Sequence, residues 1–328
     1  MRVLFVTNRY PTEESPGSSP AIEQQRRALQ QLGHDVDLLF IQSERFRIEY
    51  LRAMWRVFWL CEVKGRYDVV HAHYGYCGIV ARMQWRSPVV VTFRGSDIMY
   101  SRQRPISRLA ARLADSSIVM TEEMRQTLGL DARVIPYGID LEIFQPRDQM
   151  EARRRLGLPA DVPIVLFPYA PSRVVKRFDL VEEAMAIVKH SFPEARLLAI
   201  HDKPPVAVAD YMNAADVMVL ASNREGAPSA VKEAMGCNLP IVSVDVGDVA
   251  TTIAGIEGCH LVEQSPEGIA EKVTLVLNKR TRTRGRSAVF SASTLNAAGE
   301  VASIYERVSR HSRDRRPTRT MNSSARRG

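Results

Sequence analysis

Two carboxylates, Glu225 and Glu233, bracket seven residues in the stretch Arg224-Glu225-Gly226-Ala227-Pro228-Ser229-Ala230-Val231-Lys232-Glu233-Ala234-Met235-Gly236-Cys237-Asn238-Leu239-Pro240. An apolar run over residues 217–220 leads into it and reads as a strand entering a loop. Pro228 suits the first turn of a helix, where its missing N–H would be unpaired anyway. Gly226 has no Cβ and lets a ligand come close to the backbone. A helix opening at about Pro228 aims unpaired N–H groups and a positive dipole end at whatever lies in front. The chemistry this suits is binding of a diphosphate, with Glu225 at the lip of the cradle and Glu233 a turn and a half into the helix. The same residues also fit an ordinary strand–loop–helix carrying two solvated carboxylates.

The segment resembles the donor-site signature of the retaining group 1 (GT4) glycosyltransferases of the GT-B fold. That signature is glutamate, seven residues, glutamate, then Ala-Met and a Leu-Pro entering the next strand. The resemblance covers roughly residues 1–310. It implies a nucleotide-sugar substrate, a UDP- or GDP-sugar, with no further cofactor and no essential metal. Gly226, Ala227, Pro228 and Ser229 would bind the diphosphate, Glu233 the ribose hydroxyls, and Glu225 the transferred sugar near its reacting face. In Lys176-Arg177-Phe178-Asp179-Leu180, Lys176 matches the lysine that neutralises the donor diphosphate. Its usual partner arginine stands five residues earlier, where this chain has Pro171, so Arg173 is the nearest candidate. Fixed cations there would stabilise a leaving diphosphate more than the intact donor, which is what accelerates a reaction. The implied catalytic set is Glu225, Lys176 and Arg173. The plainer reading of Lys176 and Arg173 is surface charge before a helix.

Two more segments belong to the sugar and acceptor side of the same resemblance, and Gly17 joins the donor-binding residues. Thr92-Phe93-Arg94-Gly95-Ser96-Asp97 ends an expected strand, and the family pattern there is often Thr-x-His-Gly-x-Asp. Arg94 replaces the histidine. Arginine is no general base near neutral pH, but it can hold a phosphate or an acidic sugar. Asp97 reads equally as a site residue or as a cap for the next element. His71-Ala72-His73 resembles the family's His-x-His segment. With period two, both rings point to one side; His73 is the candidate, against a packing role. Gly17, in the loop 11–20, is the counterpart of a glycine placed near donor and acceptor. Tyr137 stands where an asparagine is most frequent.

These residues need elements to position them. Expected strands lie at residues 3–7, 35–41, 68–71, 88–92, 117–120 and 133–135, with helices at 21–32, 46–63 and 106–114 between them. A second series has strands at 162–167, 196–200, 217–220, 241–244 and 260–262, with helices at 148–156, 179–190, 211–215, 228–236 and 267–278. Alternating strand and helix means a parallel sheet wound on both faces. The fold class is therefore α/β: GT-B, two facing Rossmann-like doubly wound domains. Residues 1–140 form the acceptor-side domain and 141–292 the donor-binding domain. Residues 293–311 form a closing helix back onto the first domain, and 312–328 a basic disordered tail. The second domain is shortened, with about ten residues where most relatives fit a further strand and helix.

Composition narrows the rest. The chain has 328 residues, 45% hydrophobic and 25% charged, ordinary for two packed domains. No apolar run approaches the ~20 residues of a membrane span. The first apolar stretch is too short for a signal peptide, so a cytoplasmic setting is expected. Four cysteines lack metal-ligand spacing. Neither a Gly-x-Gly-x-x-Gly nor a Gly-x-x-x-x-Gly-Lys-Ser/Thr motif occurs, which excludes the usual nicotinamide and P-loop readings. The net charge of +8 sits in residues 279–286 and 307–328, leaving the remainder mildly acidic. Those basic segments read as solvated charge, or as attraction to an anionic membrane face. Nucleic acid is not expected, because no aromatics interleave with the arginines. Residues 46–63 join Trp55, Phe58 and Trp59 to Arg52 and Arg56. Such a helix either packs its aromatic face on the sheet or lies peripherally on an anionic bilayer. The expected partners are thus a nucleotide-sugar donor, a glycan, lipid-linked or small-molecule acceptor, and an anionic membrane surface. A non-catalytic sugar-nucleotide-binding relative, or another GT-B activity such as an epimerase, is the alternative.

Overall fold

The computed structural model describes residues 1–42, 48–65, 67–99 and 101–314. Their strands form two separate parallel sheets. The first holds β1 (Arg2–Thr7), β2 (Asp35–Phe40), β3 (Val69–His73), β4 (Val89–Thr92), β5 (Ser116–Val119) and β6 (Arg133–Val134), in the order β2-β1-β3-β4-β5-β6. The second holds β7 (Ile164–Phe167), β8 (Arg196–Ala199), β9 (Val217–Leu220), β10 (Ile241–Val244) and β11 (Cys259–Val262), in the order β11-β10-β9-β7-β8. Central strands such as Val89–Thr92 and Val217–Leu220 are buried at every position. Helices cover both faces of such a sheet, so no polar face remains to alternate.

Each sheet reverses its winding once. The chain passes from β1 outward to β2 and then returns to the other side of β1 at β3; it does the same at β7, β8 and β9. A crevice opens outside the carboxyl ends of the strands at such a reversal, and it is the favoured place for a ligand. The second sheet has one strand fewer, because a single helix, Pro205–Ala214, joins β8 to β9.

The two sheets are tied twice. The outgoing segment after β6 and a returning segment run side by side, with Ile139 bridged to Ser293. A side chain at Gly138 would collide with the backbone of Thr294. The last helix, Thr294–Asp314, then buries Ala298, Val301, Ile304, Tyr305 and Val308 in the core of the first sheet. Tyr305 reaches across to His71 Nδ1, while Thr92 Oγ1 lies 2.7 Å from His71 Nε2.

Several expectations need correction. Residues 312–314 belong to the last helix rather than to a tail; the rest of the basic tail, 315–328, lies outside the described residues, as do Phe46 and Arg47 of the expected helix 46–63. The described part of that helix runs Ile48–Phe58 and continues as a π turn, Trp59–Val63. The arginines of 279–286 are not simply solvated charge. Arg282 donates to the carbonyls of Met212 and Asn213, and Arg286 donates to those of Phe144 (2.6 Å) and Leu141 (2.9 Å). Both satisfy carbonyls that an element's end or the linker leaves unpaired.

Candidate active site

The carboxyl ends of the two sheets look at each other across a cavity of about 280 Å3. From the first sheet come Ser19, Arg94, Met120 and Tyr137; from the second come Tyr169, Arg173, Lys176 and the whole run Glu225–Ser229, with Lys232 and Glu233 behind it. Lys176 follows β7 and Glu225 follows β9, and β7 and β9 are the adjacent strands at the reversal of the second sheet. A larger depression of about 970 Å3 lies by Pro88, Asp115, Ser116 and Arg133, at the amino ends of β4, β5 and β6. It is remote from both reversals, so the smaller cavity is the better candidate.

Lys176 is fixed by a short 3-10 turn, Val174–Lys176, whose end at Arg177 takes a left-handed conformation with φ 54°. Its ammonium pairs with Glu225 Oε1 and sits 3.5 Å from the centre of the Tyr169 ring. Ser222 Oγ donates to the same Glu225 oxygen at 2.7 Å. The lysine and glutamate side chains are 5% and 14% exposed, so the pair is largely out of water. Burial pulls the Lys176 pKa down and the Glu225 charge pushes it back up. Burial and the Glu225 and Glu233 charges hold the Tyr169 hydroxyl well above its usual range. Tyr169 therefore offers a neutral ring under the cation.

Behind this pair the helix Ser229–Gly236 opens with no side-chain cap. Pro228 is its N-cap residue, not its first helical residue. The uncapped turn faces the cavity together with Gly226 and Ala227. Burial raises the Glu233 carboxyl to about 7, and a hydrogen bond with Ser229 pulls the other way. The structure thus brings Glu225, Gly226, Ala227, Pro228, Ser229, Glu233, Lys176 and Arg173 to one cavity. Arg173 is exposed there, and no hydrogen bond or ion pair of its side chain occurs among the described residues.

The first-sheet candidates divide. Arg94 lines the cavity, whereas His73, Asp97 and Gly17 do not. His73 is fully buried, and its Nδ1 accepts from Arg94 at 3.0 Å. It buttresses Arg94 rather than meeting a ligand, and burial keeps its pKa well below the usual value. Asp97 is buried and accepts from the backbone N–H groups of Arg94 (3.0 Å) and Gly95 (3.1 Å), so it shapes the turn. Gly17 packs against Asp202 of the other lobe; an added Cβ would lie 2.9 Å from the Asp202 Cα. It lines a neighbouring depression of about 640 Å3 that shares Ser19 and Arg173 with the cavity.

Sequence reasoning missed Tyr169, Lys232 and the turn that supports the loop 225–228. Lys232, 7% exposed, pairs with Asp248 at 3.1 Å and ties that turn to the helix. Between them Gly247 adopts φ 62°, and a side chain there would strike the carbonyl of Gly226. The cue available in the sequence was the glycine in Asp245-Val246-Gly247-Asp248 after a strand, which marks a tight backbone approach.

Comparison with known proteins follows this division into two sheets. Residues 3–143 match the Glycosyltransferase Family 4 domain and residues 199–279 match Glycosyl transferases group 1. TuaC of Bacillus subtilis, assigned to teichuronic acid biosynthesis as a glycosyltransferase, is 25% identical over 347 aligned positions, covering 84% of this chain and 88% of TuaC. A D-inositol 3-phosphate glycosyltransferase of Geodermatophilus obscurus is 30% identical over 273 positions, 66% of this chain and 60% of that protein's length. Sucrose-phosphate synthase of Thermosynechococcus elongatus superposes with a TM-score of 0.77 over 94% of this chain and 98% of that one, at 19% identity; this likeness shows the fold.

Proposed function

The chain belongs to the group 1, family 4 glycosyltransferases of the GT-B fold, and on that premise we propose that it moves a sugar, with retention of configuration, from a UDP- or GDP-sugar to a glycan or lipid-linked acceptor. The observation that carries this is the convergence of Lys176, Glu225 and the uncapped helix start Ser229 on one cavity at the reversal of the second sheet. In this reading residues 141–292 hold the donor and residues 1–140 the acceptor. Glu233 accepts from the ribose hydroxyls. The diphosphate lies against the helix start with Lys176 and Arg173 beside it, and no metal ion is assigned.

The reaction breaks the bond between the anomeric carbon and the diphosphate oxygen, and negative charge gathers on that oxygen. An ammonium has three donors, and Glu225 occupies one at Lys176, so the others can meet that charge. Arg173 and the first N–H groups of the helix add to it. A cation and fixed dipoles in a largely dry site stabilise such charge strongly. The acceptor oxygen enters on the face the diphosphate leaves, which retains the configuration, and the departing phosphate oxygen takes the acceptor's proton. Glu225 orients the sugar.

Membrane contact fits a second surface. No described helix is long and apolar enough to cross a membrane. Yet Leu51, Trp55, Phe58, Trp59 and Val63 are exposed, and the Trp55 and Trp59 rings stack at 6.5 Å. Ala53, Val57 and Cys61 make the buried side of this helix instead. We assign this face, with Arg52, Arg56 and Lys64 beside it, to peripheral contact with an anionic bilayer.

The test is release of free nucleotide from a panel of UDP-, GDP- and ADP-sugars, with product anomers read by NMR. Release with at least one donor and a retained anomer is expected. Nucleotide binding without release over the whole panel would leave a non-catalytic sugar-nucleotide-binding relative; an inverted product would remove the same-face mechanism.

A further inference from the structure

Among the described residues, the Arg94 side chain is a cation held by neutral groups. It follows β4 and lines the cavity from the first sheet, where Lys176 lines it from the second. Its NH2 group lies 3.0 Å from Gln25 Oε1 and 3.0 Å from His73 Nδ1. Since a guanidinium can only donate, His73 Nδ1 is the acceptor and the imidazole is neutral, with its proton on Nε2. The guanidinium carbon lies 4.8 Å from the centre of the Tyr137 ring, a favourable seat for a cation. Asp97 spends its Oδ1 on backbone N–H groups, and no ion pair among the described residues includes Arg94. Its Nε and NH1 are screened from solvent and have no hydrogen-bond partner.

An arginine stays charged at any pH a protein survives, and a shielded charge with no counter-ion is costly. Here three neutral side chains fix its orientation, and among the described residues no carboxylate forms an ion pair with it. It lines the cleft between the two sheets, and an unpaired cation in a cleft draws anions. The donor diphosphate already has its own cations on the other lobe.

We propose that Arg94 is a specificity-determining residue that receives a second anionic group of the substrates, a carboxylate or phosphate carried by the transferred sugar or by the acceptor. This deepens the transferase reading above and rests on it. Tyr137 is part of the device, because its ring face seats the guanidinium.

The test uses the full-length protein. The first arm measures, by calorimetry, the affinity of wild type and Arg94→Gln for UDP, UDP-glucose and UDP-glucuronate, or for the GDP series if the protein prefers guanine. The second arm compares initial rates with neutral acceptors and with acceptors bearing a phosphate or carboxylate. Wild type should favour the anionic compound by roughly tenfold or more in one arm, the value of a charge-assisted contact. Arg94→Gln should abolish that preference while binding of the free nucleoside diphosphate stays unchanged. The arm that shows the preference identifies which substrate carries the anion. Arg94→Lys, which keeps the charge without the fork, should retain part of it and guards against misfolding of the glutamine variant. Equal ratios for wild type and Arg94→Gln in both arms overturn the proposal. So does a parallel loss of nucleoside diphosphate affinity in Arg94→Gln, which would assign the arginine to the diphosphate. Failure of both proteins to bind any nucleoside diphosphate would overturn the donor reading itself, and this inference with it.

Discussion

Lys176 and Glu225 stand on the loops that leave neighbouring strands of the second sheet, and they form an ion pair that is largely shielded from water. The glutamate keeps the lysine protonated against a burial that pulls its pKa down. Replacing Glu225 by glutamine removes that support, so the Lys176 pKa falls further. If transfer needs the ammonium, the alkaline limb of the kcat profile should move to lower pH in Glu225→Gln. An alkaline limb in the same place as wild type would show that the pair does not set the charge of the lysine.

Glu233 makes a separate prediction about pH. Its carboxyl sits at about 7 in the folded protein because of burial, against about 4.3 in an unfolded chain. Between those values the folded state holds more protons than the unfolded one, so stability falls as pH rises. The cost is absent below the lower value and complete above the upper one. Glu233→Gln should therefore gain in Tm over wild type as pH climbs from 5 to 8. Nucleotide affinity should move the other way, rising with pH in wild type, because only the carboxylate accepts fully from ribose. Glu233→Ala should lose roughly 1.5–3 kcal/mol of nucleotide binding. Unchanged affinity in calorimetry would remove the ribose role.

Gly247→Ala should damage donor binding from outside the cavity. The residue needs φ 62° and has the Gly226 carbonyl where a side chain would go. The added methyl must push the Glu225–Gly226 backbone toward the ligand space. We expect KM for the donor to rise by about tenfold or more, since displacements of about 1 Å in positioning loops are that costly. A wild-type KM in a folded Gly247→Ala protein would show that the turn does not fix the donor loop.

The membrane assignment is tested by Trp55→Ser with Trp59→Ser. Both rings are exposed, so Tm and turnover on a water-soluble acceptor should change little. Co-sedimentation with vesicles containing phosphatidylglycerol should drop, and what remains should vanish at high salt. Equal sedimentation of variant and wild type would dismiss this face as the contact.

Much of this architecture was legible because parallel strands buried on both faces leave short apolar runs in the sequence. Val89–Thr92 and Val217–Leu220 could be placed within a residue. The proposed donor side was legible because Lys176 and Glu225–Glu233 each lie in a short segment that follows a strand. What the sequence hid depends on neighbours that are remote in it. Helix Gly75–Ala81 is buried everywhere except at Tyr76 and Ile79 and carries no charged residue, so its periodicity is silent, and it starts from Tyr74 at φ 76°. The helix Ile48–Phe58 shows the reverse: its aromatic stripe faces out and its small residues face in. His73, read either as a sugar-side candidate or as a packing and hydrogen-bonding residue, takes the second role, because Arg94 occupies the space in front of it. Arg282 and Arg286 looked like loose charge and serve carbonyls some 70 to 145 positions away.

The central claim is that Lys176 stabilises the leaving diphosphate, and the kinetics of Lys176→Met on a confirmed donor and acceptor test it most directly. The variant should fold with a lowered Tm, because it leaves Glu225 shielded and unpaired. Its kcat should fall by roughly 100-fold or more, with a much smaller change in KM for the donor, because the charge it meets grows as the bond breaks. Lys176→Arg should recover only part of the rate, a planar fork being a poor substitute for a compact ammonium. A folded Lys176→Met enzyme with wild-type kcat would contradict the account and shift the diphosphate contact to Arg173.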